Sequence, residues 1–420
     1  MEKKVANNLL FFYLFSIFPL IDLLNGYLLS INNKLPVGAG YRILILFYGV
    51  LIVFKNEIVA HKDLSILLFI NFVVFSILTL VQAMFFYRSL SQIMSDFTVL
   101  SKYFLWLVTA LIFSEYLSSE GKLEKITVKI NLFFCLGMII PYLLGIGNFT
   151  YVNSNAGYKS FFFATNDLTY AFIILSSILS FYIIDQFNRS KSLYFVFLIF
   201  LYILNLICML IIGTKSGIVY GGANLIIVFF YLIFMKTNVS YTFKFYLIQM
   251  LIILTVFFLV LGKNIVETML DGIVDRITYF YKVYEGDWIR ILSSSRSTYL
   301  DDAWHNFLFY PKNYLILLFG FGVANRWTLF GRQGGNIEMD FFDTAFSYGL
   351  VGSLVLIISF VYILKKYKTE SVNKRYLYLF FVSLIYAFFI GHVFYSAMSS
   401  MIFGIVIGGM FIKRNKEERY

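Results

Sequence analysis

The chain is dominated by apolar runs of roughly 18 to 24 residues, separated by short polar patches. A helix of that length crosses about 30 Å of hydrocarbon. Lipid offers no partner for backbone N–H and C=O groups, so such runs must satisfy them internally, as helices. Twelve are predicted, over about residues 8–30, 38–54, 64–86, 93–116, 127–147, 166–185, 193–213, 217–235, 243–262, 344–364, 376–392 and 395–412. With 60% of residues hydrophobic and 14% charged, a soluble globular domain is excluded. The expectation is an all-α polytopic membrane protein, a single integral domain over residues 1–420. The first run follows Met1-Glu2-Lys3-Lys4 as a signal peptide would. It is too long for one and no small-residue cleavage pattern follows, so it reads as an uncleaved anchor.

Lys and Arg set the orientation. With the N-terminus in the cytoplasm, 20 of the 34 fall on the inner side, 13 on the outer side, and Lys102 lies inside a helix. Eight of the outer ones lie in one long segment, which the positive-inside rule exempts. Both termini are therefore expected to be cytoplasmic. The net charge of +11 is mostly inner-face lysine, which fits topology and attraction to anionic lipid rather than nucleic acid. Cys135 and Cys208 both fall in spans, where cysteine packs as a small apolar residue; no disulfide framework or zinc-ligand spacing is present. No metal and no cofactor are expected.

The long outer segment, residues 263–343, joins the ninth and tenth spans. Connections of that length in compact proteins are functional or disordered. This one interleaves Trp288, Trp304 and Trp327 with Arg276, Arg290, Arg296, Arg326 and Arg332, a composition that argues for order. The apolar run Tyr314 to Val323 is too short to span and is expected to pack on the membrane domain or dip into the interface. A large, partly helical extracytoplasmic loop packed on the bundle is the result.

Within it, RSTYLDDAWHNFLF (296–309) reads as a helix. At about 100° per residue from Arg296, Leu300, Ala303, Trp304 and Phe307 fall within roughly 80° of it. Asp301, Asp302 and His305 fall on the other side. Arg296 is thus placed on the apolar face, where an unpaired charge costs several kcal/mol and an anionic partner is required. Two partners stay open: a carboxylate, Glu338, Asp340 or Asp343, or the phosphate oxygens of a ligand, which the planar guanidinium fork matches well. His305, one turn after Asp301, is either oriented by that carboxylate or half of a solvated surface pair. His392, at the outer end of the eleventh span, reads as a cap or interface residue.

The acids of IEMDFFD (337–343) sit where the tenth span begins. Asp340 or Asp343 can cap that helix. Glu338 and Asp340, close together at a membrane surface, are expected to raise each other's pKa, and one of them to serve as a general base. Two further outer features carry lysine. GYKSFFFATNDLTY (157–170) holds Lys159, Asn166 and Asp167, and GTKSG (213–217) is a tight turn with Lys215 at its tip, where snorkelling to lipid phosphate is the plain alternative.

The order GYKSFFFATND, GTKSG, SSRSTYLDDAW, LLFGFGVA and IEMDFFDTAFSYGLVG resembles the O-antigen polymerase and ligase superfamily, on the Wzy polymerase side. The resemblance covers about residues 155–355; the first five spans match in character alone. It implies a GT-C-type membrane glycosyltransferase at the outer leaflet of the bacterial inner membrane, needing neither nucleotide sugar nor metal. A growing chain on undecaprenyl diphosphate would be moved to the nonreducing end of a lipid-linked repeat unit. It further implies that Lys159, Lys215, Arg290 and Arg296 hold the diphosphate, and that a chain-length regulator is a partner. The ligase branch carries a loop histidine for which His305 is the candidate equivalent, an imperfect fit that turns the reading toward polymerase. Chemically, cations in a water-poor site stabilise a departing diphosphate and a base takes the acceptor proton. Candidates for that base are Glu338, Asp340 and His305. Trp304, Tyr299 and Asn166 are offered as sugar contacts.

A lipid-linked sugar flippase is the main competitor. Transporters concentrate ionisable groups at the midplane, whereas here the spans hold few, chiefly Asp22, Asp96 and Lys102. A scaffold without catalysis leaves the arginines, the lysine turn and the acid pair without a shared reason.

Overall fold

The computed structural model describes residues 2–33, 35–55, 62–86, 89–117, 120–151, 156–187, 193–235, 281–311, 313–370 and 373–412, with isolated positions between 241 and 278. Sixteen α-helices and one hairpin make up the described residues. They are α1 (Glu2–Ser16), α2 (Phe18–Ser30), α3 (Val37–Lys55), α4 (Lys62–Phe85), α5 (Leu90–Tyr116), α6 (Glu120–Leu143), β1 (Asn148–Tyr151) and β2 (Ala156–Ser160). Next come α7 (Thr165–Gln186), α8 (Leu193–Ile212), α9 (Lys215–Phe230, running into a π turn), α10 (Trp288–Ser293), α11 (Arg296–Phe309) and α12 (Asn313–Phe319). The last are α13 (Val323–Phe330), α14 (Asp340–Glu370), α15 (Lys374–Phe389) and α16 (Ala397–Met410).

Among the described residues eight helices are long and apolar enough to cross a membrane, nine if the bent pair α1 and α2 is one span. Twelve were expected. The first expected span is interrupted at Ile17, where Pro19 removes a backbone donor and its ring disfavours a continuous helix. The last two are α15 and α16, of 16 and 14 residues. The expected span at 243–262 lies outside the described residues save isolated positions. The described elements are those of an all-α polytopic membrane protein, with one short hairpin added, its antiparallel partners Phe149 to Tyr158 and Tyr151 to Ala156.

The chain forms two compact units. One comprises Met1–Phe18, Pro36–Leu123 and Asp287–Tyr420; the other, Pro19–Leu35 and Glu124–Gly286. In the first, α5 is the central helix, with an unbroken buried stretch from Tyr103 to Ser114. It packs tightly on α16 because Gly404 and Gly408 face it: a Cβ on either would lie 2.5 Å from the Cβ of Thr109 or Phe113. Small residues let helix backbones approach where lipid supplies no hydrophobic drive between them. The start of α5 is fixed by a capping box, Ser89 with Gln92.

α14 is interrupted at Gly349, whose φ of 65° few other residues adopt. The break frees backbone carbonyls, and each is taken up. Phe321 N–H donates to the Phe346 carbonyl and Gly322 N–H to that of Ser347, both at 2.9 Å. The buried Gln82 of α4 donates to the carbonyls of Ser347 and Phe319. The short apolar run predicted at 314–323 therefore packs on the membrane helices as α12 and the Gly320–Gly322 turn.

In the second unit, the hairpin and the starts of α7 and α9 converge. Thr150 Oγ1 donates to the Ile212 carbonyl at 2.8 Å, and the Thr169 and Thr214 hydroxyls are 3.0 Å apart. Thr214 caps α9 through the Gly217 N–H.

Candidate functional site

The acid loop of the first unit is built by two aspartates that hold backbone. Asp340 opens α14, and its carboxylate accepts the N–H groups of His392, Val393 and Phe394 at 2.8, 2.6 and 2.9 Å. It thereby fastens the 391–396 loop onto α14, helped by the Thr344 and Tyr395 hydroxyls 2.9 Å apart. Asp343 accepts from the N–H groups of Ile337 and Met339, at 3.0 and 3.1 Å. Glu338 lies between these two clipped amides with φ at 61°, a conformation held by what surrounds it. Facing it, His392 has φ at 63°, and a Cβ on Gly391 would come 2.4 Å from the Glu338 carbonyl.

Arg296 is buried on the predicted apolar face of α11, together with Ala303, while Asp301 and His305 are exposed on the other. Of the two partners open to it, the carboxylate is the one present. Arg296 Nη2 donates to Glu338 Oε2 at 3.2 Å, Nε to the Glu338 carbonyl at 3.1 Å, and Nη1 to the Ser293 carbonyl at 3.3 Å. The same Oε2 lies 3.9 Å from His392 Nε2. Glu338 Oε1 has no partner among the described residues, and the side chain is 39% exposed. The His392 imidazole, with Arg296 behind it, holds Glu338 below its ordinary pKa against the opposing effect of burial. Mutual elevation of Glu338 and Asp340 was expected; Glu338 is shifted the other way because its nearest charged neighbours are cationic or can become so.

Glu338 and His392 both line a cavity of about 480 Å³, together with Gln92, Ser95, Trp327 and Asn336. A second, more apolar cavity of about 570 Å³ is lined by Leu300, Trp304, Phe307, Leu317, Phe342 and Phe346. Arg326 lines the first, and its guanidinium is 5.7 Å from the ring of Phe346, which lines the second. Arg326 is 2% exposed and donates to Asp343 Oδ1 at 3.0 Å, Ser347 Oγ at 2.8 Å and the Gly334 carbonyl at 3.1 Å. Burial lowers its pKa and Asp343 opposes that. In the sequence Arg326 is one of several loop arginines with no distinguishing role, and His392 reads as a cap or interface residue. Their signal is non-local, since each matters through residues distant in the chain.

The other predicted site residues are placed as follows. Asp340 has both oxygens engaged by backbone, which leaves Glu338 as the acid of that pair with an oxygen to spare. His305 Nδ1 is 3.5 Å from Asp301 Oδ1 on the exposed face, a solvated pair in which His305 lines neither cavity. Arg290 pairs with Asp287 at 3.3 Å, both well exposed. Tyr299 is half-buried and lines neither cavity, and Trp304 lines the apolar one. Lys159, Asn166 and Lys215 belong to the second unit, at its convergence of hairpin, α7 and α9. Lys159 Nζ donates to the Phe163 carbonyl at 2.9 Å, and burial lowers its pKa. Among the described residues no three His, Cys, Asp or Glu side chains are grouped to hold a metal ion.

No curated protein matches this sequence. The family model described as O-antigen ligase like membrane protein matches residues 2–288. That stretch takes in the first five spans, beyond where the motif resemblance began, with Lys159, Asn166 and Lys215, and stops short of Arg290. Such proteins are membrane enzymes of polysaccharide assembly acting on lipid-linked oligosaccharides. With over half its length matched and eight apolar helices long enough to span, this chain is a multi-pass membrane protein belonging to the O-antigen ligase-like family.

Proposed function

We propose that the chain is a Wzy-type polysaccharide polymerase of the GT-C kind, one integral membrane assembly with cytoplasmic termini in a bacterial inner membrane. It moves a growing glycan from undecaprenyl diphosphate onto the nonreducing end of a lipid-linked repeat unit at the outer face. The observation that carries this reading is the half-engaged carboxylate of Glu338. Its Oε2 is bonded to Arg296, the side chain is 39% exposed, and the residue lines a cavity large enough for a sugar. Glu338 accepts the proton of the acceptor hydroxyl as that oxygen attacks the anomeric carbon. The anomeric C–O bond breaks, the electron pair leaves with the diphosphate, and the centre inverts. Arg290 neutralises the leaving group, with Arg296 contributing beside Glu338. The apolar cavity beside α11 suits polyprenyl chain, with Trp304 among its lining residues, and Tyr299 is a sugar contact. No metal takes part, and a chain-length regulator is the partner protein.

The test is the purified protein with a lipid-linked repeat unit, without nucleotide or metal. A ladder of products is expected. A single transfer to a lipid core acceptor would make it a ligase, a reading favoured by the name of the matched family. Movement of the lipid-linked sugar across the bilayer with no new glycosidic bond would make it a flippase. Against that last reading, Asp96, an acid inside α5, serves the fold, since it accepts the Ala324 N–H at 2.7 Å at the start of α13.

A further inference from the structure

His392 is built into the site by more than its position at the end of α15. Its backbone is left-handed, its N–H is held by Asp340, and Gly391 before it lets the loop close on the Glu338 carbonyl. The imidazole consequently faces Glu338 Oε2, the oxygen already bonded to Arg296, and both side chains line the same cavity. A residue needed only to turn the chain would not require an imidazole pointed at a carboxylate. Other charged or titratable groups near the pair are Arg296 from α11, Arg326 from α13, Asp340, Asp343 and Tyr348 from α14, and Tyr395 from its own loop. Of these Arg296 carries a fixed charge, Arg326 and Asp343 are bonded to each other, and Asp340 is bonded to three amides. Histidine is the side chain whose ordinary titration falls between pH 5 and 8.

We propose that His392 is a positioning residue that sets the pH range over which Glu338 works as a proton acceptor. Uncharged, the imidazole leaves Glu338 with one cation, Arg296, on Oε2, and the carboxylate accepts a proton more readily at Oε1. Protonated, it adds a second positive charge near the same oxygen, and the carboxylate becomes a weaker base. Turnover therefore rises as pH increases through the histidine range. The inference rests on the reading of Glu338 given above.

The experiment uses membranes from cells lacking this chain, which retain the unpolymerised lipid-linked glycan, supplied with the purified full-length protein. Products are followed from pH 5.5 to 8. His392→Asn is the informative variant because asparagine tolerates the left-handed backbone and does not titrate. The wild type is expected to gain on the order of 3- to 10-fold in rate over that range. His392→Asn is expected to vary less than about 2-fold over the same range, at matched amounts of protein in the membrane. A rising limb that survives in His392→Asn assigns the titration to another group and overturns the proposal. So does a wild-type profile that is flat or falls, or a His392→Asn protein inactive at every pH. No product from the wild type at any pH would instead remove the glycosyltransferase reading itself.

Discussion

Arg326 with Asp343 and Arg296 with Glu338 are two arginine–carboxylate pairs in one unit, their acids five residues apart, yet they differ in what is left over. In the first pair the arginine is buried, and Asp343 accepts from Arg326 and from two backbone amides. In the second, Arg296 is nearly as buried, but its partner is 39% exposed and lines a cavity. A buried pair with its polar atoms bonded fixes a fold and adds little net stability over an apolar substitute, while breaking it is costly. A pair bonded on one side is a held carboxylate with a lone pair to offer. The contrast separates the arginine that shapes the wall from the arginine that holds the acid.

The largest expected effect breaks the first pair. Arg326→Ala removes the buried cation of the pair and leaves Asp343, 17% exposed, without it, at a cost of about 3 kcal/mol. Folded protein recovered in detergent should fall sharply, and a variant that melts like the wild type would erase the contrast. Glu338→Gln comes next, with the opposite signature. Product formation should drop by about 10² to 10⁴, while thermal stability moves by under about 1 kcal/mol, since Glu338 is 39% exposed and glutamine still accepts from Arg296. A normal product ladder from Glu338→Gln would return the site to the other candidates. Arg296→Ala should sit between the two. It loses on the order of 10-fold to 100-fold in rate through a misplaced carboxylate and about 1–2 kcal/mol in stability, and Arg296→Lys should recover part of the rate by restoring one donor. Full activity in Arg296→Ala, with protein reaching the membrane, would release Glu338 from any need of a partner.

The spans and the helix 296–309 were legible in the sequence because both are local, periodic patterns. Arg296 was rightly placed on the buried face of α11 from spacing alone, and the acid loop was seen as a place where charge gathers. What spacing could not say is which acid Arg296 meets, because Glu338, Asp340 and Asp343 lie within six residues and differ only in how the backbone turns among them. Positive φ at Glu338 and His392 decides that, and neither residue type announces it. The break in the first span was written in Pro19, and the break in α14 in Gly349. The length of α16 was harder to read, because Phe394, Tyr395, Phe411 and Ile412 flank it and make a 14-residue helix look in sequence like a full span.

The smallest expected effect is on stability as a function of pH, and it sharpens the same comparison. Glu338 has a folded pKa depressed below its ordinary 4.5 by His392 and Arg296. A depressed folded pKa means that the folded form binds its proton less tightly than the unfolded chain does. Its contribution is therefore fully present above about pH 4.5, and is lost as pH falls through the depressed value. With the side chain 39% exposed, solvent screening keeps that contribution well under about 1 kcal/mol. Thermal melts of wild type and Glu338→Gln in detergent should run parallel above pH 5 and converge as the pH drops toward 3, since glutamine has no proton to gain. Curves that stay parallel to the lowest pH would mean that Arg296 and His392 place Glu338 without favouring its charge. The carboxylate would then be held by shape alone, as the backbone clips of Asp343 hold the residues on either side of it.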